Sequence, residues 1–511
     1  MRKRLIRNKK MRYATVSVAL TVMIIVVAVL ANTVMVTLTQ RYGWYTPLYG
    51  AETYDVTEDC YELLEDAFAS CAEEDGSYPD VEIIFCDLPE ELESEDSYNY
   101  YLYATAKEIA AKFDNVKLSC YDIWTDPTKV KQYTTSTNPL TGEVMTTALN
   151  SGSVIVTGEG YHRVYDWSSF FVYEDEEASS PWAYNGEKKL ASAILRAVDS
   201  EEHIACVLNN HGETFYDYEL LTLLDDAGYT VVYMDLYNEE LPENCELIVS
   251  YNPNTDLIAD GLSAVSEIEI LDAFLAEDGH SFIVFLENGT PDLPNFERYL
   301  NEWGVSTDYY TNASGASYRY MIQDSAGSLT SDGYTVYGTA VSEAFDEDLV
   351  VFKDATSLSP ASEGYIADGM SYRSVDGTRT MTPLYQSSES TLAWANGNAV
   401  DGGALSLMTL TKQDNGTGGS SGVCVVGSTD FSAAAFLQSA VYGNGDLMMK
   451  LFEDMGKELT PKGLTLKPFS SYDISIITTS QMLNWTVALA VTPAVLVIVA
   501  AVIVFAKRRR G

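Results

Sequence analysis

Apolar residues fall along this chain in three patterns. The first is continuous: an uncharged stretch over 13–40 holds the run 16–38, and a second over 474–506 holds the run 483–506. Each exceeds the roughly 20 apolar residues that a bilayer core requires. Thr492 and Pro493 interrupt the second run, as a membrane helix tolerates. The second pattern is short apolar runs bounded by Gly, Pro, Asn or Asp, which predict strands over 81–86, 116–121, 153–157, 163–165, 203–208, 230–234, 246–250, 281–286, 404–410 and 423–426. The third is helical spacing, which predicts helices over 55–72, 97–113, 186–198, 216–227, 268–276, 295–303, 431–442 and 446–453. In the first of these, Asp55 and Glu58 are spaced as a capping box, and Leu63, Leu64, Ala67 and Phe68 form an apolar stripe.

Charge adds a topology. Seven basic residues precede the first run and four follow the second, so the excess of Lys and Arg predicts cytoplasmic placement of both termini. Every acidic residue lies between Glu52 and Asp473; with the eleven tail cations set aside, 20 basic residues face 74 acidic ones, a net charge of −54 on the middle segment. The expectation is a two-pass protein of a bacterial cell membrane with an extracytoplasmic acidic domain. A cleaved secretory signal is the alternative for the N-terminus, but the apolar region is longer than such signals use and lacks a small-x-small site. The basic stop after Ala506 opposes a lipid-anchor signal. So acidic a surface excludes ordinary nucleic-acid binding, which needs cations to displace counterions.

The organisation that follows is a basic tail (1–12), a first membrane helix (13–40), a stalk (41–78), a small α/β unit (79–180), a larger α/β domain (181–470), a juxtamembrane stretch (471–482), a second membrane helix (483–506) and a final tail (507–511). In the small unit the order β-α-β-β-β is thioredoxin-like in outline. A redox enzyme of that kind needs paired cysteines after its first strand, whereas Cys86-Asp87-Leu88-Pro89 supplies one. The larger domain, with alternating strands and helices, predicts a mostly parallel sheet covered on both faces. The fold class expected is therefore α/β, with two terminal transmembrane helices flanking both units.

The chemistry-bearing motifs are sparse. No GxxxxGK[ST] occurs, so nothing predicts ATP hydrolysis by the chain itself. Seven cysteines lack metal-type spacing, the histidines lack companions at ligand spacing, and the acidic runs lack a calcium-loop pattern, so neither cofactor nor metal is implied. Gly418-Gly419-Ser420-Ser421-Gly422 satisfies GxSxG, but a strand follows the serine where a nucleophile elbow needs a helix. Asn210, His211, Gly212 and Glu213 end a parallel-type strand, where open α/β sheets present ligand groups. They form a candidate ligand-facing turn, in which His211 is a possible general base with Glu213 as its partner; turn formation and helix capping are the plainer role. No residue is assigned as catalytic. Asn32, Thr486, Thr492 and Pro493 are candidates for contacts with partner helices.

Several segments resemble those of the GldG-type auxiliary components of ABC-2-type transport systems. They are Tyr54-Asp55-Val56-Thr57, Trp182-Ala183-Tyr184-Asn185-Gly186-Glu187 before a helix ending Ala193-Ile194-Leu195, and Asn210-His211-Gly212-Glu213, where the family tends to show Gly-His-Gly-Glu. Leu223-Leu224-Asp225-Asp226-Ala227-Gly228-Tyr229, Tyr251-Asn252-Pro253, Gly427-Ser428-Thr429-Asp430-Phe431 and Tyr442-Gly443-Asn444-Gly445-Asp446 continue the likeness. The resemblance implies a subunit that is not an enzyme and works with an ABC-type permease and a cytoplasmic ATPase. Competing expectations are an extracytoplasmic hydrolase or amidase using His211, Glu213 or Ser420, and a surface sensor or adhesin.

Overall fold

In the computed structural model, the first described element is a helix whose cap is not the one its sequence suggested. Helix α1 (Glu58–Ser70) is capped by Thr57, whose hydroxyl accepts from the Cys60 amide at 3.3 Å. The same hydroxyl donates to Glu187 at 2.6 Å. Of the apolar stripe, Leu64, Ala67 and Phe68 are buried, together with Cys60, and the helix packs on another helix. The structure describes residues 55–469 except for short stretches (73–75, 95–97, 138–143, 159–161, 174–177, 179, 200, 214, 216–217, 260, 262–264 and 417), and the described residues from Val56 to Phe469 belong to one compact unit.

A four-stranded sheet follows. Strand β1 (Val81–Phe85), helix α2 (Asn99–Lys112) and strands β2 (Val116–Cys120), β3 (Ser153–Thr157) and β4 (His162–Asp166) assemble in the order β2-β1-β3-β4. The first pair is parallel and the other two are antiparallel. Cys86, just past β1, is buried, and burial pushes its thiol up to about 11, away from the thiolate that redox exchange needs. Helix α3 (Gly186–Val198) is buried along nearly its whole length because it is covered by α1, α2, β1 and β3 and also meets the next layer. Two of its buried charged residues are paired inside the fold: Lys189 with Asp226 at 2.5 Å, and Glu187 with Lys467 at 2.5 Å.

The second sheet begins with a parallel half built from β5 (His203–Leu208), helix α4 (Glu219–Asp226), β6 (Tyr229–Met234), β7 (Cys245–Tyr251), helix α5 (Glu267–Leu275), β8 (Ser281–Phe285) and helix α6 (Pro294–Glu302). Period-two alternation sends Ala205 and Val207 into a core shared with α4, while Ile204, Cys206 and Leu208 enter a second core with Leu271, Phe274 and Phe296. The strands are therefore buried on both faces, which is why they read as near-continuous apolar runs.

The chain then builds shorter strands: β9 (Tyr309–Thr311), β10 (Ser317–Arg319), β11 (Met321–Asp324), β12 (Tyr365–Asp368), β13 (Ser371–Ser374), β14 (Arg379–Gln386), β15 (Thr391–Ala395) and β16 (Asn398–Gly402). It returns through β17 (Ser406–Asp414) and β18 (Ser420–Val426) to helix α7 (Asn444–Asp454). The large sheet runs β6-β5-β7-β8-β18-β17-β14-β13-β12. Pairing is parallel from β6 to β18 and antiparallel from β18 to β12.

Two parts of the expected fold class are thereby corrected. The large sheet is mixed, not mostly parallel, because tight connections such as 415–419 join β17 to β18 as a hairpin, without the long crossover that parallel pairing requires. The region after Gly304 contributes that antiparallel half. The two-pass membrane topology, and the localisation drawn from it, are also overturned: no helix among the described residues is long and apolar enough to cross a membrane. The segments 13–40 and 483–506, on which that expectation fell, lie outside the described residues.

Candidate functional site at the carboxyl edge of the parallel strands

From β5 the chain moves outward to β6, then returns past β5 to β7 on its other side. The loops leaving β5 and β7 therefore diverge, which makes this edge the topological switch point where open α/β sheets hold ligands. The turn 210–213 sits there. Gly212 takes φ +77°, a left-handed conformation that glycine adopts without strain. The His211 carbonyl accepts from the amides of Asn254 and Thr255 at 2.7 and 2.9 Å, and the Gly212 carbonyl accepts from the Asn254 side chain at 2.8 Å. The two diverging loops are thus tied together by backbone bonds.

Beneath them lies a buried ionic cluster. His211 is 3% exposed, and its Nε2 donates to Glu267 Oε2 at 3.0 Å. Glu267, fully buried at the start of α5, also accepts from the Ile258 amide at 2.8 Å and from the Asn210 side chain at 3.3 Å. On the other side of the imidazole, Glu213 stands 3.5 Å from Nδ1 while accepting from the His211 amide at 2.7 Å. Burial alone lowers the pKa of His211, but hydrogen bonds and attraction from Glu213 and Glu267 overcome it and raise the value to about 9. Glu267 is held below the ordinary carboxylate range: burial opposes this, and the bonds from His211 and Ile258 outweigh burial. The imidazole is accordingly a cation throughout the neutral range. A buried cation enclosed by two carboxylates is poorly placed to accept a proton, so the geometry makes this turn a lock between loops.

A second polar chain continues across the edge. Tyr251 donates through its hydroxyl to the Thr429 carbonyl at 2.9 Å; the Thr429 hydroxyl donates to Glu287 at 2.7 Å; the Thr290 hydroxyl donates to Asn252 at 2.7 Å and accepts from the Glu287 amide at 2.9 Å. Asn252 itself has φ +48°. Residues from the ends of β7, β8 and β18 are thereby joined, and the 288–292 loop passes into a cavity bordered by β10 and the 396–397 turn.

The other sequence candidates lie elsewhere. Ser420 opens β18 in the hairpin with β17 and has no following helix, as its context suggested. Its neighbour Ser421 is 2% exposed. Asn32, Thr486, Thr492 and Pro493 fall outside the described residues. Sequence reasoning missed Glu267 and Arg319. Ser266 and Glu269 signal the start of α5, with Ser266 accepting from the Glu269 amide at 3.2 Å, but nothing local announces that Glu267 reaches a histidine far back in the chain. Among the described residues no group of three or more His, Cys, Asp or Glu side chains is arranged to hold a metal ion.

No family model matches the chain, and no curated protein does. Among solved structures, the chain is similar to one in the structure of PurLQS from Thermotoga maritima, at 15% identity and a TM-score of 0.24, over 50% of this chain and 98% of that one.

Proposed function

We propose that this protein is a non-ATPase auxiliary subunit of an ABC-2-type transport system, which binds a partner or substrate and does not transform it. One observation carries the reading: segments that resemble the GldG-type family, far apart in the chain, meet at one edge of the fold. Asn210 to Glu213 follow β5, Tyr251 to Pro253 span the end of β7, and Gly427 to Phe431 follow β18, and hydrogen bonds link the last two. A shared binding edge explains why such separate stretches carry the likeness. The absence of a Walker loop from the sequence means that an ATPase partner supplies the energy.

The burial of His211, 3% exposed between Glu213 and Glu267, supports binding over hydrolysis, since a general base must be within reach of the substrate's proton. The test is co-purification from the native host with a tag on the full chain. Recovery of a multi-span permease and a Walker-loop ATPase is expected. Purification free of both, under conditions that preserve other ABC assemblies, would overturn the reading.

A further inference from the structure

The cavity beside the 288–292 loop holds about 530 Å³, the size of a small-ligand site. Its walls include parts of the chain that are far apart in sequence: the β8–α6 connection, the β9–β10 hairpin and the β15–β16 turn. Four aromatic residues line it, Tyr309, Tyr318, Tyr334 and Trp394, and among the described residues none of their rings packs on another aromatic ring.

Arg319 belongs to the wall and is closed to a guest. Its side chain is 1% exposed, with Nε donating to the Thr290 carbonyl at 2.8 Å and Nη2 to the Pro291 carbonyl at 3.0 Å and to Glu297 at 2.6 Å. Its guanidinium lies over the Tyr309 ring, 4.7 Å from the centroid, so one aromatic face of this wall already carries a cation. Tyr318, Tyr334 and Trp394 have no such partner among the described residues.

Charge sets the sign of the guest. Asp292 and Arg319 are the charged residues of the lining, and Glu297 balances the sealed guanidinium. The charge a guest meets is therefore the carboxylate of Asp292, an exposed residue with no side-chain partner among the described residues. The negative faces of the aromatic rings and the net charge of −43 on the chain act in the same direction. An anion is repelled, and a neutral ring forgoes the attraction. A primary ammonium has three N–H donors to satisfy, and Arg319 already engages the Thr290 and Pro291 carbonyls. A quaternary ammonium needs no hydrogen bond and presents methyl groups to the rings.

We infer that this cavity binds a quaternary ammonium cation of the choline type, held against Tyr318, Tyr334 and Trp394 with Asp292 as its counter-charge. Free choline and the headgroup of a phosphocholine lipid share that chemistry. The inference is independent of the transporter reading, because the walls of the cavity belong to this chain. Its failure leaves the co-purification result untouched.

The test is titration calorimetry on the full chain at constant ionic strength. The probes are choline chloride, dihexanoyl phosphatidylcholine below its micelle concentration, ethanolammonium chloride and dimethylbutanol, the uncharged carbon isostere of choline. Choline is expected to bind about tenfold more tightly than dimethylbutanol, the loss of a cation–π contact and its counter-charge, and about fivefold more tightly than ethanolammonium. The lipid distinguishes the sources: affinity equal to that of choline assigns a membrane headgroup, and weaker binding assigns the free cation. Tyr318→Leu and Asp292→Asn should each weaken choline binding by about threefold to tenfold. Both residues are exposed, so both variants are expected to melt like the parent. No heat with choline at about 10 mM, well above a millimolar Kd, would overturn the inference. So would equal affinity for dimethylbutanol or ethanolammonium, or choline binding indifferent to both substitutions.

Discussion

At the scale of single residues, the informative positions are polar groups that burial forced into partnership. His211 is one. Its folded pKa, about 9, lies above the 6.5 of an unfolded histidine. The stabilisation is therefore complete below about pH 6.5 and is lost as pH rises through 9, and the span corresponds to about 3 kcal/mol at most. His203, between Asp199 and Glu246 at the opposite ends of these strands, is also raised to about 9 by its hydrogen bonds to them and acts in the same window. Urea midpoints measured from pH 6.5 to 9.5 should fall steadily, and His211→Gln should flatten the slope by roughly half. An unchanged slope in that variant would show that the imidazole is not a buried cation.

The thiols obey the same physics: burial raises Cys60 to about 12 and lifts Cys424 further, while the hydrogen bond with Cys206 at 3.1 Å, and after it burial, lifts Cys245. In the native state at pH 8, alkylation is expected to reach Cys71 and Cys120 well before Cys60, Cys86, Cys206, Cys245 and Cys424, with mass spectrometry of the labelled peptides as the readout.

At the scale of elements, strands whose burial is two-sided were the most legible. The runs at 203–208, 246–250 and 281–286 fall within a residue or two of β5, β7 and β8, because a strand enclosed on both faces has little choice but continuous apolar sequence. Helix ends shifted where capping depends on distant partners: α1 starts later than the Asp55–Glu58 pair suggested because Thr57 is fixed by Glu187. The expected helix over 431–442 is only Ala434–Leu437, preceded by a single 3-10 turn at Asp430–Ser432, since Phe431 and Ser432 are committed to the carboxyl edge. The short strands β9 to β16 were not resolved from sequence at all. All but the eight-residue β14 have three to five residues, too few for a periodicity that distinguishes strand from loop, and β14 is interrupted by Pro383.

Element assembly also gives a prediction, because Glu187 joins α1, α3 and the returning segment at Lys467, whose side chains are 3% and 9% exposed. Lys467→Met leaves a buried carboxylate without its cation and should cost about 3–5 kcal/mol by chemical denaturation. Glu187→Gln together with Lys467→Met should restore most of that loss; a double variant as unstable as the single one would contradict the pairing.

At the scale of the whole molecule, what sequence conveyed about the carboxyl edge was its location and not its use. Order along the chain identified 210–213 as a strand end. The closure of His211 by Glu267, and the cavity with Arg319, depend on pairings between residues 56 and 22 positions apart in sequence that no local pattern encodes.

Charge, by contrast, was fully legible and has a global consequence. The chain carries 74 acidic against 31 basic residues, a net −43, so most surface carboxylates face other carboxylates. Such self-repulsion destabilises the compact state while keeping it soluble. The buried pairs Lys189–Asp226, Glu187–Lys467 and His211–Glu267 are shielded from mobile ions, whereas exposed pairs such as Lys107–Glu93 and the repulsion between surface carboxylates are not. Salt therefore acts mainly on the surface, where repulsive contacts outnumber attractive ones. Raising ionic strength from about 0.01 M to about 0.15 M shortens the screening length from about 30 Å to about 8 Å, and the melting temperature is expected to rise by several degrees. Most of the gain should come below about 0.15 M, as screening requires, and sodium chloride and potassium chloride should act alike. A melting temperature that falls with salt would mean that surface ion pairs, not net repulsion, dominate the electrostatics of this fold.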